Sequence, residues 1–347
     1  MISRRMMLAG TGASAAMVAS GALWDETRAA TPAILRAPRL QPGARIGLIE
    51  PASLTPEPFD ITLVEEAMAA LGLEPVRGDH VLERDGYLAG EDRDRAKDIN
   101  SMFRDKSIDG VFAVRGGWGS ARVLPFLDYD AIKKNPKPLL GYSDITALHL
   151  AIHARTGLIT FHGPNAMSKW GANSVAAFKP LLFDGEAVTY QNPIAEEDRL
   201  VQRKWRTQTM TEGKARGRLI GGNLTVMTAL VGTPYLPSFD GAILFLEDVD
   251  EAIYRVDRML TQLGQAGVLK NLRGVIFGFC TDCDNGSSYS AFTLGEVLQH
   301  HLGSLGVPAY RGAYIGHIGD QFTVPIGAMV EIDADAGAFK LLEPAVL

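Results

Sequence analysis

The chain has 347 residues, of which 46% are hydrophobic and 21% charged, a composition typical of a globular protein long enough for two domains. Its formal net charge of −6 gives no bulk attraction to phosphate backbones, and no cluster combines basic with aromatic residues, so we expect no nucleic-acid partner. No stretch of about 18 strongly apolar residues occurs beyond the first thirty, which argues against a membrane-spanning segment there.

The first thirty residues are predicted to be an export signal and not part of the fold. Arg4 and Arg5 give a charged start, and a weakly apolar run rich in glycine, alanine and serine extends to Leu23. Ala29 and Ala30 are small enough to offer a cleavage site to a signal peptidase. This pattern is typical of a twin-arginine signal and predicts a periplasmic protein that folds before transport. An uncleaved or disordered tail is the alternative.

Residues 44–166 alternate strand and helix patterns and are predicted to form an N-terminal α/β domain. An apolar run at 45–49 is followed by Leu63, Ala67 and Leu71 at helical spacing. Further segments follow in the same alternation: a helix at 96–103, strands at 110–114 and 139–140, a helix at 147–154 and a strand at 158–161. Strands this apolar, separated by helices, predict a doubly wound parallel sheet covered on both faces.

Residues 167–215 show no steady period and are interpreted as the interdomain connection. Residues 216–347 are predicted to form a C-terminal β/α domain. Its expected elements are a first strand and helix reaching residue 231, strands at 242–246 and 275–279, helices at 253–263 and 292–302, and a β-rich tail at 324–342.

Ser143 is the candidate nucleophile. It follows Gly141 and Tyr142 at the end of a predicted strand, where open α/β sheets bind ligands. Amide N–H groups at the start of the next helix point into the same crevice. A serine at this junction also has a purely structural interpretation as a helix cap. Ile145 stands where a Gly-x-Ser-x-Gly elbow would need glycine, so this is a different motif.

The glycine-rich loop at 115–119 lacks the spacing of a dinucleotide or phosphate loop. One interpretation is a tight turn without a ligand. The other is a close backbone approach to the active centre, in which the amide of Gly116 or Gly117 joins that of Asp144 as an oxyanion hole.

An acid and a histidine complete the candidate chemistry. Glu247 ends the strand at 242–246, and its register points it into the crevice, with Asp248 as the fallback. His162 and His317 each follow a short apolar run and are flanked by glycine, and the residues alone do not decide between them. A serine, a glutamate and one histidine would form a hydrolytic triad.

Residues with metal-binding side chains are too scattered to predict a metal site. Cys280 and Cys283 have no second cysteine pair and no histidine at ligand spacing, so we interpret them as strand-end cysteines, with a local disulfide optional. His149 and His153 share one helix face without a third ligand and are expected to be packing or surface residues.

Several short motifs occur in one order along the chain. They are Arg-Gly-Gly-Trp-Gly at 115–119, Gly-Tyr-Ser-Asp at 141–144, His-Gly-Pro at 162–164, Gly-Gly-Asn-Leu at 221–224, Leu-Glu-Asp at 246–248 with Tyr-Arg-Val-Asp-Arg at 254–258, and Gly-His at 316–317 before Thr-Val-Pro-Ile-Gly at 323–327. Together they resemble the LD-carboxypeptidase family of serine peptidases, which includes the microcin C immunity peptidases. The resemblance extends from about residue 44 to residue 333.

The resemblance implies a fold and a set of catalytic residues. The N-terminal domain would be similar to class I glutamine amidotransferases and the C-terminal domain would be of swivelling β/α type, with the active site between them. Ser143 would be the nucleophile, His317 the base and Glu247 the orienting acid, while His162 would be structural and line the cleft. The resemblance also implies a homodimer without a metal or organic cofactor.

The implied reaction is removal of the terminal D-alanine from murein tetrapeptides, with Arg115 or Arg255 binding the terminal carboxylate and Trp118 also contacting substrate. Because export is expected, the substrate would be intact peptidoglycan stems in the periplasm or an unrelated amide. A microcin-type amidase acting on aminoacyl-adenylate analogues is an alternative, and it would need an aromatic side chain such as Trp118, Trp170 or Trp205 for base stacking. A non-catalytic periplasmic binding protein with two lobes is a further alternative.

Overall fold

The computed structural model describes residues 32–284 and 292–347, so the export signal predicted for residues 1–30 lies outside the described residues. The described strands are β1 Arg45–Ile49, β2 Glu74–Arg77, β3 Gly110–Ala113, β4 Leu139–Gly141, β5 Thr160–His162, β6 Thr189–Tyr190, β7 Gln208–Thr211, β8 Lys214–Asn223, β9 Ala242–Val249, β10 Gly274–Thr281, β11 Ala309–Arg311, β12 Val324–Ile326, β13 Met329–Asp333 and β14 Ala338–Leu341.

The described helices are α1 Pro58–Ala70, α2 Asp92–Arg104, α3 Ser120–Val123, α4 Tyr129–Lys134, α5 Thr146–Thr156, α6 Ala172–Lys179, α7 Leu224–Ala229, α8 Ile253–Gln265 and α9 Leu294–His301. Within the part of the chain that the structure describes, no helix is both long and apolar enough to cross a membrane.

The strands form two sheets. The six-stranded sheet has the order β12-β5-β4-β3-β1-β2, and all its neighbours are parallel except β12, which pairs antiparallel with β5. The eight-stranded sheet has the order β6-β14-β13-β8-β9-β10-β11-β7, with a parallel centre from β8 to β11 and antiparallel strands on either side. The predicted mixed α/β class with parallel sheet elements is therefore confirmed.

Both faces of both sheets are buried. Leu139 and Leu244 belong to one apolar cluster, whereas Leu140 and Phe245, the next residue in each strand, belong to a second cluster. Successive side chains of a strand point to opposite faces of the sheet, so each cluster covers a different face. This explains why the strands read as continuous apolar runs and not as an alternating pattern.

Two parts of the topology depart from the expected segments. The stretch at 167–215, interpreted as a connection without regular structure, contains α6 and contributes β6 and β7 to the edges of the eight-stranded sheet. The tail at 324–342, expected to lie wholly with the C-terminal elements, places β12 in the six-stranded sheet. Strands of two to four residues are too short to produce a readable period. The domain boundaries at 166 and 216 stay a prediction.

The two cysteines are bonded to each other. Cys280, near the end of β10, forms a disulfide with Cys283 in the turn that follows. Of the two states that the sequence leaves open, the structure contains the disulfide.

Candidate active site

Ser143 lies in a sharp turn between β4 and α5. Its φ of 65° is in the left-handed region, which a residue with a side chain adopts only at an energetic cost. Tyr142 and Ile145 occupy the cap positions of the two helical segments that follow β4, so Ser143 is not a helix cap. The strained turn instead presents the hydroxyl at the carboxyl end of the six-stranded sheet.

The structure brings Ser143, His317 and Glu247 together in one hydrogen-bonded series. The Nε2 of His317 lies 2.9 Å from the Oγ of Ser143, and the Nδ1 of His317 lies 2.7 Å from an Oε atom of Glu247. With the proton on Nδ1, the ring donates to the carboxylate and leaves Nε2 to accept the serine proton. The chain segments that supply these groups belong to both sheets.

The environment of this series favours a charged imidazole. Burial by itself lowers the pKa of His317, but the hydrogen bond and charge of Glu247 and the charge of Asp248 outweigh burial and raise the pKa above its ordinary value. Glu247 is fully buried. An ionised carboxylate in such a position stabilises the imidazolium that forms when the histidine takes a proton.

Asp248 is a second buried carboxylate beside Glu247. Burial first, and then the charge of Glu247, raise the pKa of Asp248 to about 6. Its oxygens accept hydrogen bonds from the side-chain amide of Asn223, from the amide and hydroxyl of Thr225 and from the amide of Val249. These donors engage both carboxylate oxygens, and Asp248 acts on the imidazole of His317 through its charge.

Glycine at two positions allows the close approaches that build the site. A Cβ on Gly316, whose φ is 118°, would lie 2.9 Å from the Cβ of Glu247, so a larger residue would push His317 away from its carboxylate. A Cβ on Gly116 would lie 3.0 Å from the Cβ of Ser143 and 3.4 Å from the amide nitrogen of Asp144. The loop backbone therefore lies against the nucleophile, as the second interpretation of the glycine-rich loop requires.

The side chain of Asp144 connects that loop to the turn of the nucleophile. Its carboxylate accepts a hydrogen bond of 2.7 Å from the amide of Ser120, the first residue of α3. Arg95, also fully buried, donates to the carbonyl oxygen of Gly119 at 3.1 Å. Burial raises the pKa of Asp144, while hydrogen bonds from Ser120 oppose the rise. The end of the glycine-rich loop and the start of α3 are thus held by two buried charged groups, one accepting from an amide and the other donating to a carbonyl oxygen.

Two cavities meet at Tyr142, Ser168 and His317, which line both. The nucleophile cavity, of about 450 Å³, is further lined by Arg115, Gly116, Gly117, Ser143, Asn165 and Met167. The histidine cavity, of about 310 Å³, is further lined by Pro164, Lys169, Ser174, Ile318, Asp320 and Gln321.

The predicted substrate-binding residues lie in different places. Arg115 lines the nucleophile cavity and donates one hydrogen bond of 2.9 Å to the carbonyl oxygen of Leu54. Trp118 is 48% exposed on the same loop, and Arg255 lies on α8 with its guanidinium against Tyr254. Neither Trp118 nor Arg255 is among the residues that line the two cavities.

His149, His153 and His162 are packing residues. The expectation that His162 lines the cleft is wrong, because its ring is fully buried against Phe245, and neither nitrogen has a hydrogen-bond partner in the described part of the chain. Burial first, then the charges of His149 and His317, hold the pKa of His162 well below its ordinary value. His149 and His153 are buried on α5 and bond to backbone carbonyl oxygens.

Two of the tryptophans considered for base stacking are packed into the fold. Trp170 packs edge-on against Phe178, and Trp205 packs edge-on against Phe279 and Tyr314. Trp118 is the most exposed of these three tryptophans.

One group of side chains outside the site has the composition of a metal site. Atoms of His80, Glu83 and Asp94 come within 4.8 Å of one another. However, Glu83 contacts Nδ1 of His80 at 2.8 Å, and the ammonium of Lys97 lies 3.2 Å from Nε2. Both ring nitrogens are thereby engaged and a cation already lies beside the cluster, so we interpret it as a surface ion-pair network.

Asn165 and Lys169 line the cavities but were not predicted from the sequence. Asn165 accepts a hydrogen bond from the amide of Tyr142 at 3.1 Å and follows directly on the His-Gly-Pro motif, a position that could have drawn attention to it. Lys169 lies in a segment without a readable pattern, where nothing in the sequence distinguishes it from other surface lysines.

A serine hydroxyl, an imidazole and a buried carboxylate in series, with backbone amides beside the serine, are the site of a serine-type hydrolase. Comparison with known families then narrows the class. Residues 46–163 match the LD-carboxypeptidase N-terminal domain and residues 216–332 match the LD-carboxypeptidase C-terminal domain. The chain belongs to the LD-carboxypeptidase family and is a serine-type peptidase.

Individual relatives agree with this assignment. The chain is 38% identical to a probable murein peptide carboxypeptidase of Bacillus subtilis, over 83% of this chain and 88% of the relative. It is 32% identical to a murein tetrapeptide carboxypeptidase of Pseudomonas aeruginosa, over 84% of this chain and 94% of the relative. The structure of the microcin C7 self-immunity protein MccF in complex with glutamyl sulfamoyl guanosine superposes with a TM-score of 0.81 at 28% identity, covering 90% of this chain and all of that one.

Replacing Asp248 by asparagine should lower the pKa of His317, because the carboxylate charge that helps to raise it is removed. Since a neutral His317 is needed to accept the serine proton, the acidic limb of a pH–rate profile should move to lower pH. Titration of the imidazole by NMR measures the first effect directly.

Asp250→Asn is the matched control, because Asp250 is an exposed acid just after β9, two residues beyond Asp248, with a left-handed backbone that asparagine also tolerates. An Asp248→Asn variant with native circular dichroism and an unshifted His317 titration would show that Asp248 does not act on the imidazole.

Proposed function

We propose that the protein is a serine carboxypeptidase that hydrolyses the amide bond before the terminal D-alanine of murein tetrapeptides. The observation that carries this proposal is the hydrogen-bonded series from Ser143 through His317 to Glu247 at the wall of a cavity. Relatives named for murein peptides support the substrate class.

In the proposed first step, Nε2 of His317 takes the proton of Ser143 as its Oγ attacks the carbonyl carbon of the scissile amide. Glu247 holds the ring through Nδ1 and stabilises the positive charge. His317 then gives the proton to the leaving nitrogen, the C–N bond breaks and the D-amino acid departs. A water molecule, deprotonated by His317, cleaves the acyl ester and restores the serine hydroxyl.

The carbonyl oxygen becomes negatively charged in this mechanism and needs donors. We assign that role to the amide of Asp144 together with the amide of Gly116 or Gly117. The short separations between Gly116, Ser143 and Asp144 support the assignment, and the Asp144 carboxylate holds α3 and the loop before it in position.

Ser143→Ala should lower kcat on a murein tetrapeptide by at least about 10⁴-fold, because the attacking oxygen is lost while the cavity remains. Mass spectrometry of D-alanine release from a tetrapeptide, and from a pentapeptide ending in D-alanyl-D-alanine, measures the effect. Cleavage of the tetrapeptide alone supports the proposed bond.

Ser304→Ala, at an exposed serine beyond α9, is the matched control and should retain wild-type kcat. Retained turnover in Ser143→Ala would refute the nucleophile.

Gly116→Ala should reduce kcat by roughly 10²-fold, the effect of losing one oxyanion donor, since the added methyl group would press on Ser143 and Tyr142. The KM for the tetrapeptide should change much less, because the donors act on the transition state. Gly264→Ala on α8, where a Cβ meets only Leu269 at 3.9 Å, is the control for glycine replacement. A Gly116→Ala variant with wild-type kcat would show that this loop does not contribute to the oxyanion hole.

A microcin-type amidase is the second candidate. The MccF structure named above contains an aminoacyl sulfamoyl nucleoside, and Trp118 offers an exposed ring on the loop that lines the nucleophile cavity. Hydrolysis of such a compound at a higher kcat/KM than the tetrapeptide, with a loss in Trp118→Ala, would favour this function. The non-catalytic alternative predicts that a serine-reactive probe leaves Ser143 unmodified.

We further propose that residues 1–30 direct export of the folded protein to the periplasm, on the basis of the Arg4–Arg5 pair and the apolar run that follows. Fusing this segment to a reporter should send the reporter to the periplasmic fraction, and Arg4→Lys together with Arg5→Lys should retain it in the cytoplasm. Periplasmic delivery that is indifferent to both changes would refute the twin-arginine route.

The remaining implications of the family resemblance are also proposals. They are a homodimer, for which light scattering of the purified protein is the measurement, and a pair of domains similar to class I glutamine amidotransferases and to swivelling β/α domains, for which a crystal structure is the test. Neither affects the proposed chemistry at Ser143.

A further inference from the structure

We propose that Lys169 binds the terminal carboxylate of the substrate and thereby makes the histidine cavity the site of the leaving D-amino acid. This inference rests on the proposed carboxypeptidase function and adds to it a residue that selects for a free chain end.

The position of the leaving group follows from the proton transfers. The scissile carbonyl oxygen must lie near Gly116 and Gly117, and the acyl carbon must lie within bonding reach of Ser143. All three residues line the nucleophile cavity. The leaving nitrogen must receive its proton from Nε2 of His317, so the leaving residue lies beyond the imidazole on the side away from the glycine loop.

The histidine cavity occupies that side. It is lined by His317 and by the residues directly after it, whereas Ser143 and the glycine loop are not among its lining residues. Tyr142 borders both cavities, and its ring centroid lies 4.8 Å from that of His317. The scissile bond would therefore pass from one cavity to the other beside Tyr142. The volume of about 310 Å³ lies at the small end of the range of roughly 300–1,000 Å³ for ligand pockets, which suits a single small amino acid.

The charges in this cavity favour an anion at Lys169. Apart from His317 and the phenol of Tyr142, the ionisable residues lining it are Lys169 and Asp320. Asp320 is already engaged at the start of α6, where it accepts hydrogen bonds from the amide of Asn173 at 3.0 Å, from the amide of Ser174 at 2.6 Å and from the hydroxyl of Ser174. The start of a helix also compensates its negative charge.

Lys169, in contrast, is an exposed cation with an unused ammonium group. Within residues 32–284 and 292–347 its side chain forms no ion pair and no hydrogen bond. An ammonium that lines a cavity without a protein partner can bind a carboxylate without first losing an existing contact. A carboxypeptidase must recognise the terminal carboxylate, and Lys169 is the available cation on the leaving-group side.

The two arginines predicted for this role are placed less suitably. Arg115 lines the nucleophile cavity, on the acyl side of the scissile bond, and Arg255 lines neither cavity. Arg115 therefore contacts the acyl portion of a bound peptide, and the leaving carboxylate is assigned to Lys169.

The test compares a murein tetrapeptide ending in D-alanine with the same peptide ending in D-alaninamide. Wild-type protein should cleave the acid with a higher kcat/KM. Lys169→Met should lower kcat/KM for the acid by about 10- to 100-fold, the usual effect of losing one charged hydrogen bond, and should leave that for the amide nearly unchanged. Lys169→Arg should retain most of the preference for the acid, because it keeps the charge.

Lys179→Met is the matched control, since Lys179 is an exposed lysine at the end of α6 that is not among the lining residues of either cavity. A second measurement avoids turnover. Free D-alanine should bind the Ser143→Ala variant, detected by NMR, and adding Lys169→Met should weaken that binding while adding Lys179→Met should not.

The outcomes separate this inference from the function on which it rests. Cleavage of the acid by wild type, with Lys169→Met retaining the full preference for the acid, overturns the role of Lys169 and leaves the carboxypeptidase function standing. Equal losses on acid and amide also overturn it, because they indicate a general disturbance of the site. Wild-type protein that releases neither D-alanine from the acid nor D-alaninamide from the amide overturns both proposals.

Discussion

The buried pair of Glu247 and His317 is the interaction on which the site depends. Glu247 ends the apolar run of the central strand β9 and has no exposed surface, so its charge is placed where water cannot screen it. Such a charge is costly unless a partner compensates it, and the imidazole does so at 2.7 Å. The same interaction fixes the ring so that its other nitrogen meets the serine hydroxyl.

Close backbone packing supports this pair from two sides. Gly316 brings the histidine segment against Glu247, and Gly116 brings the glycine-rich loop against Ser143. Asp144 and Arg95 fix the end of this loop through hydrogen bonds to the amide of Ser120 and the carbonyl oxygen of Gly119. Both charged residues are buried, and they act on the backbone at the end of the loop that approaches Ser143.

Much of this could be predicted from the sequence, for physical reasons that differ between elements. Strands β1, β9 and β10 are buried on both faces and therefore read as uninterrupted apolar runs, while α8 carries a clear apolar stripe. Short edge strands such as β6 and β12 carry too few residues to show a pattern, and their partners lie far away in sequence.

The candidate site shows the same division. Ser143 and Glu247 stand at strand ends, which a pattern can locate. His162 and His317 each follow a short apolar run and are flanked by glycine, and only their burial and hydrogen-bond partners in the fold separate them. The family motifs, and not the local residues, distinguished them. Lys169 escaped prediction because its significance comes from a cavity formed by segments that are distant in sequence.

The segment that carries His317 has one further consequence. It leaves β11 in the eight-stranded sheet and ends at β12 in the six-stranded sheet, and it must contact a serine 174 residues earlier. A nascent or partly folded chain, in which the two sheets have not yet docked, holds the imidazole away from the hydroxyl. Assembly of the reacting groups therefore requires both sheets to be in place, and a polypeptide that ends before His317 lacks the imidazole that the serine contacts.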